Sequence, residues 1–469
     1  MVAFWNELEQ YGQRTALITQ EGVKISYREL LCQADELGEI IGARCLVFTM
    51  CCNCAELAAG YVGLLRHQMV PVMITEHIAP ELLDSLLESY HPAYFYLPTR
   101  RMARLSGVPV WENGAYTLLK MNYTQDYELA EDLALLLTTS GSTGSPKLVR
   151  QSVENLEENT RSIVAYLGIT GQDRAITTLP MSYTYGLSIL QTHLAQGAAV
   201  ILTEATMLDK RFWMLFQEQE ATTFGGVPYV YEMLKKLRFA RMDLPSLRYI
   251  TQAGGKLSKE LSEEFSEICT QKGIQMIVMY GQTEATARMS YLPWEYAISK
   301  AGSIGVAIPG GTFQLIDAEG DIIEQPETTG ELIYSGKNVT LGYARDRFDL
   351  NKPDENHGIL HTGDMAKRDA DGFYYIVGRK KRFLKLFGSR VNLDEVEGLL
   401  KKQGIECACT GEDDRMDVYI TDAQQLDRAG AFLREHTSIN PNGFRVRHIE
   451  EIPRNESGKV LYTALETET

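Results

Sequence analysis

The chain has 469 residues, 44% of them hydrophobic, which is enough for roughly three domain-sized units with large buried cores. Its 62 acidic residues against 46 Lys and Arg give a net charge of −16. This charge argues against nucleic acid or an anionic membrane as the main partner, because both require a basic face. The sequence shows no signal peptide, no apolar run of about 18 residues and no cysteine pattern typical of disulfides or metal sites. We therefore expect a cytoplasmic protein without a membrane span.

Strand-like apolar runs alternate with helical patterns from residue 1 to about 300, which predicts an α/β architecture of layered subdomains with parallel sheets. Short strands separated by Gly turns follow from about 301 to 380 and predict a third subdomain that is a small β-barrel or a sheet. Residues 381–469 have an α+β pattern, with a helix near 393–402. We therefore predict a large N-terminal domain over residues 1–380 and a small C-terminal domain over 381–469.

A loop rich in Gly, Ser and Thr follows the apolar strand predicted at residues 133–137 and ends in a lysine. Glycines let the backbone approach a phosphate closely, while N–H groups, hydroxyls and one lysine supply donors and positive charge. The common P-loop requires Gly before its Lys and Ser or Thr after it, whereas Pro146 precedes and Leu148 follows Lys147. The loop predicts nucleotide binding of another kind, with a flexible surface loop as the alternative. The residues that would bind phosphate are Thr139, Ser140, Gly141, Ser142, Thr143, Gly144 and Lys147.

A second stretch places an aromatic, a glycine, a hydroxyl and a carboxylate at the end of the strand predicted over residues 276–280. Ligands of open α/β sheets bind at the carboxyl ends of strands. Tyr280 and Gly281 suit contact with a purine nucleotide, Thr283 suits a phosphate, and Glu284 suits Mg²⁺, which prefers oxygen ligands. On its own, the stretch is equally compatible with a strand-end turn and a helix-capping Thr.

Two further stretches add charged groups of the kind that bind a nucleotide. Asp364 follows a Gly turn, where its carboxylate can accept hydrogen bonds from both hydroxyls of a ribose. Arg379 can donate a hydrogen bond to the same sugar. Near the C-terminus, Gly458 would let a loop present Lys459 as a mobile cation. Each has an alternative when taken alone: an Asp that bonds its own backbone in a turn, and a solvated surface lysine.

In combination and in this order, these stretches resemble the acyl-adenylating (AMP-forming) superfamily, which includes acyl-CoA synthetases, peptide-synthetase adenylation domains and beetle luciferase. The resemblance covers most of the chain and also includes residues 330–332, 341–343 and 378–379. It implies a large adenylating domain followed by a small mobile one. It further implies that a carboxylate attacks the α-phosphate of ATP to give an acyl-adenylate and pyrophosphate, after which a thiol takes the acyl group.

The resemblance assigns the nucleotide-binding roles. The phosphate loop would hold the β- and γ-phosphates of ATP. Tyr280 and the turn formed by Gly254 and Gly255 would lie against adenine. Asp364 and Arg379 would hold the ribose.

The resemblance also assigns three residues to the chemistry. Thr283 and Glu284 would place phosphate and Mg²⁺, with Glu284 as the metal ligand. Lys459 would bridge the carboxylate and the α-phosphate and offset the charge that builds up in the transition state. By analogy with oxyanion-hole donors, loss of such a cation costs about 10²–10³ in rate.

The mobile domain implied by the resemblance turns about one residue between the two half-reactions, and Lys381 matches that hinge position. Rotation would withdraw Lys459 and bring Lys385 and Gly388 towards the thiol channel. Without the neighbouring motifs, the stretch that holds Lys385 and Gly388 would be interpreted as a strand, a loop and a strand with exposed basic side chains.

The acyl pocket differs from the pattern common in CoA ligases. Residues 180–187 match the family's stretch at this point, but Tyr183 stands where those enzymes commonly have His. No carboxylate occupies the position that binds an α-ammonium group in amino-acid-activating domains, so a common α-amino acid is disfavoured as substrate. Gly225 and Val227 line the pocket by their position in the family, and Tyr183 is either an aromatic gate or a packing residue. An aromatic, hydroxy or short acyl acid fits this pocket.

The thiol acceptor stays open between CoA and the phosphopantetheine arm of an acyl carrier protein. Residues 381–469 form a shorter tail than in most CoA ligases of the family, and the chain contains no carrier segment of its own. Two other classes compete with the ligase. A P-loop phosphotransferase is disfavoured by the residues around Lys147. A catalytically silent nucleotide-binding protein is disfavoured by intact Glu284, Asp364 and Lys459.

Overall fold

The computed structural model describes residues 3–138, 147–386, 389–412, 414–436, 441–454 and 460–466. Helices and strands are numbered in chain order. The helices are α1 (Tyr27–Ile41), α2 (Ala55–Arg66), α3 (Pro80–Tyr90), α4 (Val153–Leu167), α5 (Thr184–Ala195), α6 (Lys210–Glu218), α7 (Pro228–Lys236), α8 (Lys259–Lys272), α9 (Leu393–Lys402), α10 (Leu426–His436) and α11 (Tyr462–Glu466). The strands are β1 (Thr15–Ile18), β2 (Lys24–Ser26), β3 (Leu46–Cys51), β4 (Val70–Thr75), β5 (Tyr94–Pro98), β6 (Gly107–Asn113), β7 (Tyr116–Met121), β8 (Leu133–Thr138), β9 (Leu148–Ser152), β10 (Arg174–Ile176), β11 (Ala199–Ile201), β12 (Thr223–Gly226), β13 (Tyr249–Gln252), β14 (Gln275–Tyr280), β15 (Ser290–Tyr291), β16 (Val306–Ala307), β17 (Gly311–Ile316), β18 (Gly330–Gly336), β19 (Gly342–Ala344), β20 (Ile359–Arg368), β21 (Tyr374–Arg379), β22 (Phe383–Leu386), β23 (Ser389–Asn392), β24 (Cys407–Glu412), β25 (Arg415–Ile420) and β26 (Phe444–His448).

A nine-stranded sheet has the order β16-β15-β14-β13-β12-β10-β11-β1-β2. Neighbouring strands are parallel from β14 to β1, while the strands at both ends pair antiparallel. Parallel neighbours need crossover connections, and α5, α6, α7 and α8 supply them between β10 and β14. The predicted alternation of strands and helices is confirmed here.

An eight-stranded sheet has the order β19-β9-β8-β4-β3-β5-β7-β6, with parallel pairing from β8 to β5. Along β3, Val47 packs into one cluster of buried residues, and Leu46 and Phe48 pack into another. Side chains alternate across a strand, so this sheet is covered on both faces. The apolar strand predicted at residues 133–137 is β8, which is buried along most of its length.

Two of the long helices begin at a reciprocal cap that the sequence encodes. The Ser26 hydroxyl accepts from the Glu29 N–H, and the Glu29 carboxylate accepts from the Ser26 N–H, which together start α1. Ser152 and Asn155 form the same arrangement at the start of α4. Each cap satisfies backbone donors that a helix terminus otherwise leaves unpaired.

The last third of the chain forms smaller sheets. One has four strands in the order β17-β18-β20-β21, one is the hairpin of β22 and β23, and one joins β24, β25 and β26. A small β-barrel or a sheet was predicted for residues 301–380; the barrel is wrong and the sheet is confirmed, because β17 and β21 are the edge strands of an open sheet. Four strands are too few to close around a side-chain core. The helix predicted near residues 393–402 is α9.

The chain divides into two compact units. The first comprises Met1–Thr312 and Tyr334–Leu360, and the second comprises Phe313–Ile333 and His361–Thr469. The boundaries of these two compact units therefore differ from the predicted domain boundary at residue 381. That predicted boundary marks a hinge for domain motion, and it stays a prediction. The α/β fold class is confirmed. Within the described ranges, no helix is long and apolar enough to cross a membrane.

Candidate active site

Three adjacent parallel strands bring the predicted pocket and adenine residues to one edge of the nine-stranded sheet. β12, β13 and β14 pair in register, so that Gly226 lies beside Gln252 and Gln252 lies beside Val278. Their carboxyl ends therefore lie side by side, which is where open α/β sheets bind ligands. The predicted residues at or directly after these ends are Gly225, Val227, Gly254, Gly255, Tyr280, Gly281, Thr283 and Glu284. We call this set the strand-edge site.

Gly281 is required by the close approach of two backbone segments. A Cβ atom at this position would lie 2.0 Å from the carbonyl oxygen of Ala287 and 2.9 Å from the Cα of Arg288. Because both are backbone atoms, any larger residue would push the turn after β14 out of place. The ATP-binding role of Gly281 stays a prediction, but packing alone demands a glycine here.

Two tyrosines at the start of α5 pack against the glycines of the strand-edge site. A Cβ atom at Gly225 would lie 2.8 Å from the Tyr185 hydroxyl, and one at Gly254 would lie 2.5 Å from the Tyr183 hydroxyl. Gly254 also has a φ of +82°, a conformation that strains other residues. Val227 belongs to the same cluster of buried side chains. The structure therefore brings the three predicted pocket residues together and adds Tyr185.

Tyr343 links the predicted metal ligand to the lysine of the predicted phosphate loop. Its hydroxyl donates to Glu284 Oε1 at 2.7 Å, and Nζ of Lys147 lies 3.1 Å from the centre of its ring. The backbone N–H and the hydroxyl of Thr340 both donate to the Glu284 carbonyl oxygen at 3.0 Å. Burial, and then the charge of Glu284, raise the pKa of Tyr343, so its hydroxyl remains a donor. A partly exposed carboxylate bonded to the Tyr343 hydroxyl, with a lysine over the ring of the same tyrosine, is a set of groups that fits Mg²⁺ and phosphate.

The two strands that flank the predicted phosphate loop in the sequence are β8 and β9. They pair antiparallel, and Thr138 pairs with Leu148. Lys147 is described, and its side chain is partly buried. The other predicted residues lie outside the described ones, namely Thr139, Ser140, Gly141, Ser142, Thr143 and Gly144.

Tyr280 and Thr283 are both partly exposed at the strand edge. The Tyr280 hydroxyl accepts a hydrogen bond from Gln282 Nε2 at 3.3 Å. Thr283 begins a single 3-10 turn, and its carbonyl oxygen accepts from the buried Gln151 amide at 3.4 Å. The residue that caps this turn is Gln282, so the alternative of a helix-capping Thr does not apply. The predicted contacts of Tyr280 with adenine and of Thr283 with phosphate stay predictions.

Arg288 is a residue of this region that the motifs did not indicate. It is 3% exposed, and its Cζ lies 4.0 Å from the centre of the Tyr185 ring. Together with Gly225 and Tyr185 it lines a small cavity of about 20 Å³. The one sequence signal that could have indicated it is that Arg288 is the single charged residue between Ala285 and Leu292.

Asp364 and Arg379 belong to the second compact unit, where they face each other on neighbouring strands. Their positions pair across β20 and β21, and Nε of Arg379 lies 2.8 Å from Oδ1 of Asp364. The Asp364 side chain is 4% exposed and that of Arg379 is 53% exposed. Asp364 is therefore not the turn residue of the alternative interpretation but a buried strand carboxylate beside a cation. Its contact with ribose stays a prediction.

The predicted mobile elements are only partly described. Lys459 and Gly388 lie outside the described residues. The backbone of Lys381 falls in a 3-10 turn over Lys380–Arg382, and that of Lys385 falls in β22, which forms a hairpin with β23. The side chains of Lys381 and Lys385 are not among those described. The hinge, the thiol channel and the catalytic role of Lys459 stay predictions.

A partly buried ion network follows the predicted hinge. Arg382 pairs with Asp394 and Glu397 of α9, and its Cζ lies 3.7 Å from the centre of the Tyr462 ring. The Tyr462 hydroxyl donates to Glu397 Oε2 at 3.0 Å. Burial raises the pKa of Glu397, and the charge of Arg382 opposes this rise. The network therefore joins the residue directly after Lys381 to both α9 and α11.

Comparison with known proteins indicates one family. The model of the family described as "AMP-binding enzyme" matches residues 4–344. A 2-succinylbenzoate–CoA ligase of Geobacillus sp. (strain WCH70) is 26% identical over 475 residues, covering 96% of this chain and 92% of that protein. An oxalate–CoA ligase of Arabidopsis thaliana is 31% identical over 275 residues, covering 58% of this chain and 52% of that protein.

Among solved structures, the O-succinylbenzoate coenzyme A synthetase of Bacillus subtilis has a similar fold. Its complex with AMP has a TM-score of 0.80 at 23% identity, covering 99% of this chain and 98% of that chain. Its complex with ATP and magnesium ion has a TM-score of 0.79 at 22% identity, covering 99% of each chain. The resemblance to acyl-adenylating enzymes is confirmed by the family match. The chain belongs to the AMP-binding enzyme family.

Proposed function

We propose that this protein is an ATP- and Mg²⁺-dependent acid–thiol ligase that converts a small carboxylic acid into its acyl-adenylate, releases pyrophosphate and transfers the acyl group to CoA. The observation that carries the proposal is the strand-edge site, where pocket residues and the stretch from Tyr280 to Glu284 share one sheet edge. Tyr343 connects this edge to Lys147 of the predicted phosphate loop. Membership of the AMP-binding enzyme family supports the same chemistry.

In this proposal the strand-edge site orients the acid and the nucleotide for attack of the carboxylate on the α-phosphorus. The pocket at Tyr183, Gly225 and Val227 holds the acyl part, and Tyr280 with the Gly254 turn holds adenine. Holding both reactants in one complex lowers the entropic part of the barrier, which contributes up to about 10 kcal/mol in well-oriented reactions. The tight backbone packing at the glycines keeps that orientation fixed.

Glu284 is the proposed magnesium ligand. Tyr343 donates to Oε1 of Glu284 and fixes the plane of the carboxylate. When Mg²⁺ is bound, it neutralises negative charge on the phosphate oxygens. Lys147 and Thr283 then add donors for the same phosphates, so that pyrophosphate can leave as a screened anion.

The remaining roles belong to Asp364 and Arg379 and to the C-terminal segment, residues 381–469. We assign the ribose to Asp364 and Arg379, whose ion pair fixes the direction of the carboxylate. Lys459 bridges the carboxylate and the α-phosphate in the first half-reaction. The segment 381–469 then turns about Lys381, which brings the stretch around Lys385 and Gly388 to the thiol channel.

CoA is the proposed acceptor because both relatives described above are CoA ligases. The alignment with the Geobacillus ligase extends over 92% of that protein's length. The shortness of residues 381–469 is therefore not an argument against CoA as acceptor. A carrier-protein phosphopantetheine arm is the competing acceptor. The acids named in the two relatives differ in size, so neither is transferred to this chain.

We place the reaction in the cytoplasm. All eight cysteines are free thiols in the structure, which is the usual state in a compartment kept reduced by glutathione. Separation of a cell lysate into cytosolic and envelope fractions tests this placement. Recovery of the protein in the envelope fraction would contradict it.

Product analysis with a panel of short acyl, hydroxy, aromatic and amino acids tests the proposed function. We expect acid-dependent formation of AMP and pyrophosphate, and of a CoA thioester when CoA is added. Lys459→Ala should lower the rate by about 10²–10³, while Lys402→Ala on the exposed face of α9 serves as the matched control. ADP as product would indicate a phosphotransferase. ATP binding without pyrophosphate release, with CoA or with a carrier protein, would indicate a silent nucleotide-binding protein.

A further inference from the structure

Arg288 is a buried cation that lacks an anionic partner among the described residues. Its Nη1 donates to the carbonyl oxygen of Ala287 at 3.1 Å and its Nη2 donates to the Ser188 hydroxyl at 3.3 Å. Its Nε is buried and makes no hydrogen bond. Across the described ranges no Asp or Glu forms an ion pair with it, whereas the equally buried Arg150 pairs with Glu355 at 2.8 Å.

The groups that surround the Arg288 guanidinium are polar but neutral. The face of the Tyr185 ring lies 4.0 Å from Cζ and compensates part of the charge. The hydroxyls of Tyr166 and Tyr183 also interact with it, but burial raises the pKa of each, so neither supplies a negative charge. A buried guanidinium without a carboxylate is costly to a fold, and such groups are concentrated at binding sites that a ligand completes.

Arg288 lies where the turn after β14 meets the acyl pocket. Its backbone packs against Gly281, as the clash of an added Cβ atom shows. Its side chain lines the cavity of about 20 Å³ together with Gly225, Ser188 and Thr251. The cavity is therefore bounded by one predicted pocket residue and by hydroxyls that can donate to an anion.

We propose that Arg288 binds a second carboxylate of the acid substrate, so that the enzyme activates one carboxylate of a diacid and holds the other. This inference rests on the proposed function, whose substrate class it specifies. A guanidinium matches a carboxylate through two parallel hydrogen bonds. The unpartnered Nε and the adjacent Nη2 form the edge of Arg288 that suits this contact.

The present cavity is too small for a carboxylate. At about 20 Å³ it accommodates a group no larger than water, so an aromatic ring must turn aside when the substrate enters. Tyr185 is 1% exposed and its hydroxyl lies 2.7 Å from the hydroxyl oxygen of Thr251. Tyr183 does not line this cavity, but its ring centre lies 6.4 Å from that of Tyr185 and its side chain is partly exposed, so we expect Tyr183 to move first and give Tyr185 room to turn.

The wild-type enzyme tests the inference through matched pairs of acids. Succinate and succinamate, glutarate and glutaramate, and phthalate and phthalamate differ by the exchange of one carboxylate for an amide. For the best-fitting pair we expect kcat/KM for pyrophosphate release to favour the diacid by about 10²-fold, the effect of a charge-assisted contact. Equal use of both members in every pair, or preference for the amides, overturns the inference.

Two variants test whether Arg288 causes the preference for the diacid over the monoamide. Arg288→Met should bring the diacid-to-monoamide ratio close to one, mainly through a higher KM for the diacid, and Arg288→Lys should retain part of it. Arg161→Met, on the exposed face of α4 and paired with Glu158, is the control and should keep the full ratio. An equal loss with all acids would mean that Arg288 holds the reacting carboxylate or the fold, which also overturns the inference.

A binding measurement separates this inference from the proposed function, because it needs no turnover. In the presence of the non-cleavable α,β-methylene analogue of ATP, the favoured diacid should raise the thermal unfolding midpoint of the wild type and not that of Arg288→Met. The midpoint of the unliganded variant should be equal or higher, since an uncompensated buried charge is removed. A diacid shift that is absent in the wild type, or unchanged in Arg288→Met, contradicts the inference even if other acids are activated.

Discussion

The strand-edge site and the Asp364–Arg379 pair have different proposed roles, and different forces hold each of them together. In the strand-edge site the fit is steric, since the Tyr185 side chain occupies the space that a Cβ atom at Gly225 would need. In the pair, a contact of 2.8 Å across two strands joins a buried carboxylate to a half-exposed guanidinium. The first region depends on shape and the second on charge.

This difference predicts opposite sensitivities. Close-packed backbone and aromatic groups do not tolerate an added methyl group, but they respond little to ionic strength. An ion pair with one partly exposed member responds to charge removal and to salt. Substitutions that add volume should therefore disable the strand-edge site, and substitutions that remove charge should disable the pair.

Gly281→Ala has the largest expected effect on the steric region. The new Cβ atom would lie 2.0 Å from the Ala287 carbonyl oxygen, so the turn that carries Tyr280 and Glu284 must shift. We expect a loss of about 3 kcal/mol in the free energy of unfolding and of about 10²-fold in kcat/KM. Urea unfolding and pyrophosphate release measure the two quantities.

Gly398→Ala is the matched control for Gly281→Ala. A Cβ atom at Gly398, in α9, meets no atom within 4 Å, so this variant should be as stable as the wild type or more stable by up to about 1 kcal/mol. Full activity and stability of Gly281→Ala would contradict the steric account of the strand-edge site.

Asp364→Asn should have the next largest effect, and it tests the region held by charge. The substitution keeps the shape and removes the negative charge beside Arg379. We expect KM for ATP to rise about 30-fold, because hydrogen bonds to a charged acceptor are lost. Lys367→Met, which breaks the exposed pair with Glu327 in the same sheet, is the control and should change KM little. An unchanged KM in Asp364→Asn would remove the ribose assignment.

Tyr343→Phe should have a smaller effect and tests the link between the phosphate loop and the metal ligand. It removes the 2.7 Å hydrogen bond to Glu284 and leaves the ring beside Lys147. We expect about a tenfold rise in the Mg²⁺ concentration needed for half-maximal rate, with little change in stability. A magnesium titration of pyrophosphate release gives the result. The same half-maximal concentration in both proteins would mean that Tyr343 does not orient Glu284.

His193 gives the last prediction, which concerns the pH dependence of stability rather than activity. Burial lowers its pKa to about 4, from an ordinary value of 6.5, and its Nδ1 lies 2.8 Å from the Ile189 carbonyl oxygen. As pH falls from about 6.5 to about 4, His193 is therefore protonated in the unfolded chain before it is protonated in the folded protein. Stability should drop in that window by at most about 1.4 kcal/mol per pH unit.

His193→Asn keeps a donor for Ile189 and removes the titrating group, so it should flatten this pH dependence. Urea unfolding at about pH 7 and about pH 5 measures it. A wild-type stability that falls no more steeply than that of the variant would contradict the assignment to His193.

The sequence predicted individual helices and strands well, and it also predicted which residues follow the carboxyl end of β14. The helix near residues 393–402 matches α9, and residues 276–280 lie within β14, because apolar period and length determine both. The position of Glu284 after a parallel strand follows from the same pattern. The sequence did not decide between a barrel and an open sheet for residues 301–380, because local periodicity does not determine the number and pairing of strands.

Long-range contacts explain what the motifs missed. Arg288 has no local pattern that distinguishes a buried cation from a surface one, and its burial results from packing against Tyr185. Tyr343 lay in a recognised motif, but its contact with Glu284 joins positions far apart in the chain. The pairing of Asp364 with Arg379 likewise depends on strand register. Such contacts are set by tertiary structure rather than by neighbouring residues.

Transfer of an oxygen atom from the acid to AMP distinguishes an acyl-adenylate from any other activated form of the acid. The wild type is supplied with a substrate acid labelled with oxygen-18 in its carboxylate, together with ATP, Mg²⁺ and CoA, and the AMP is analysed by mass spectrometry. An acyl-adenylate mechanism places a labelled oxygen in the phosphate of AMP, because the attacking carboxylate oxygen stays on phosphorus when the thiol displaces AMP. Unlabelled AMP, or label in inorganic phosphate with ADP as the nucleotide product, would contradict the account.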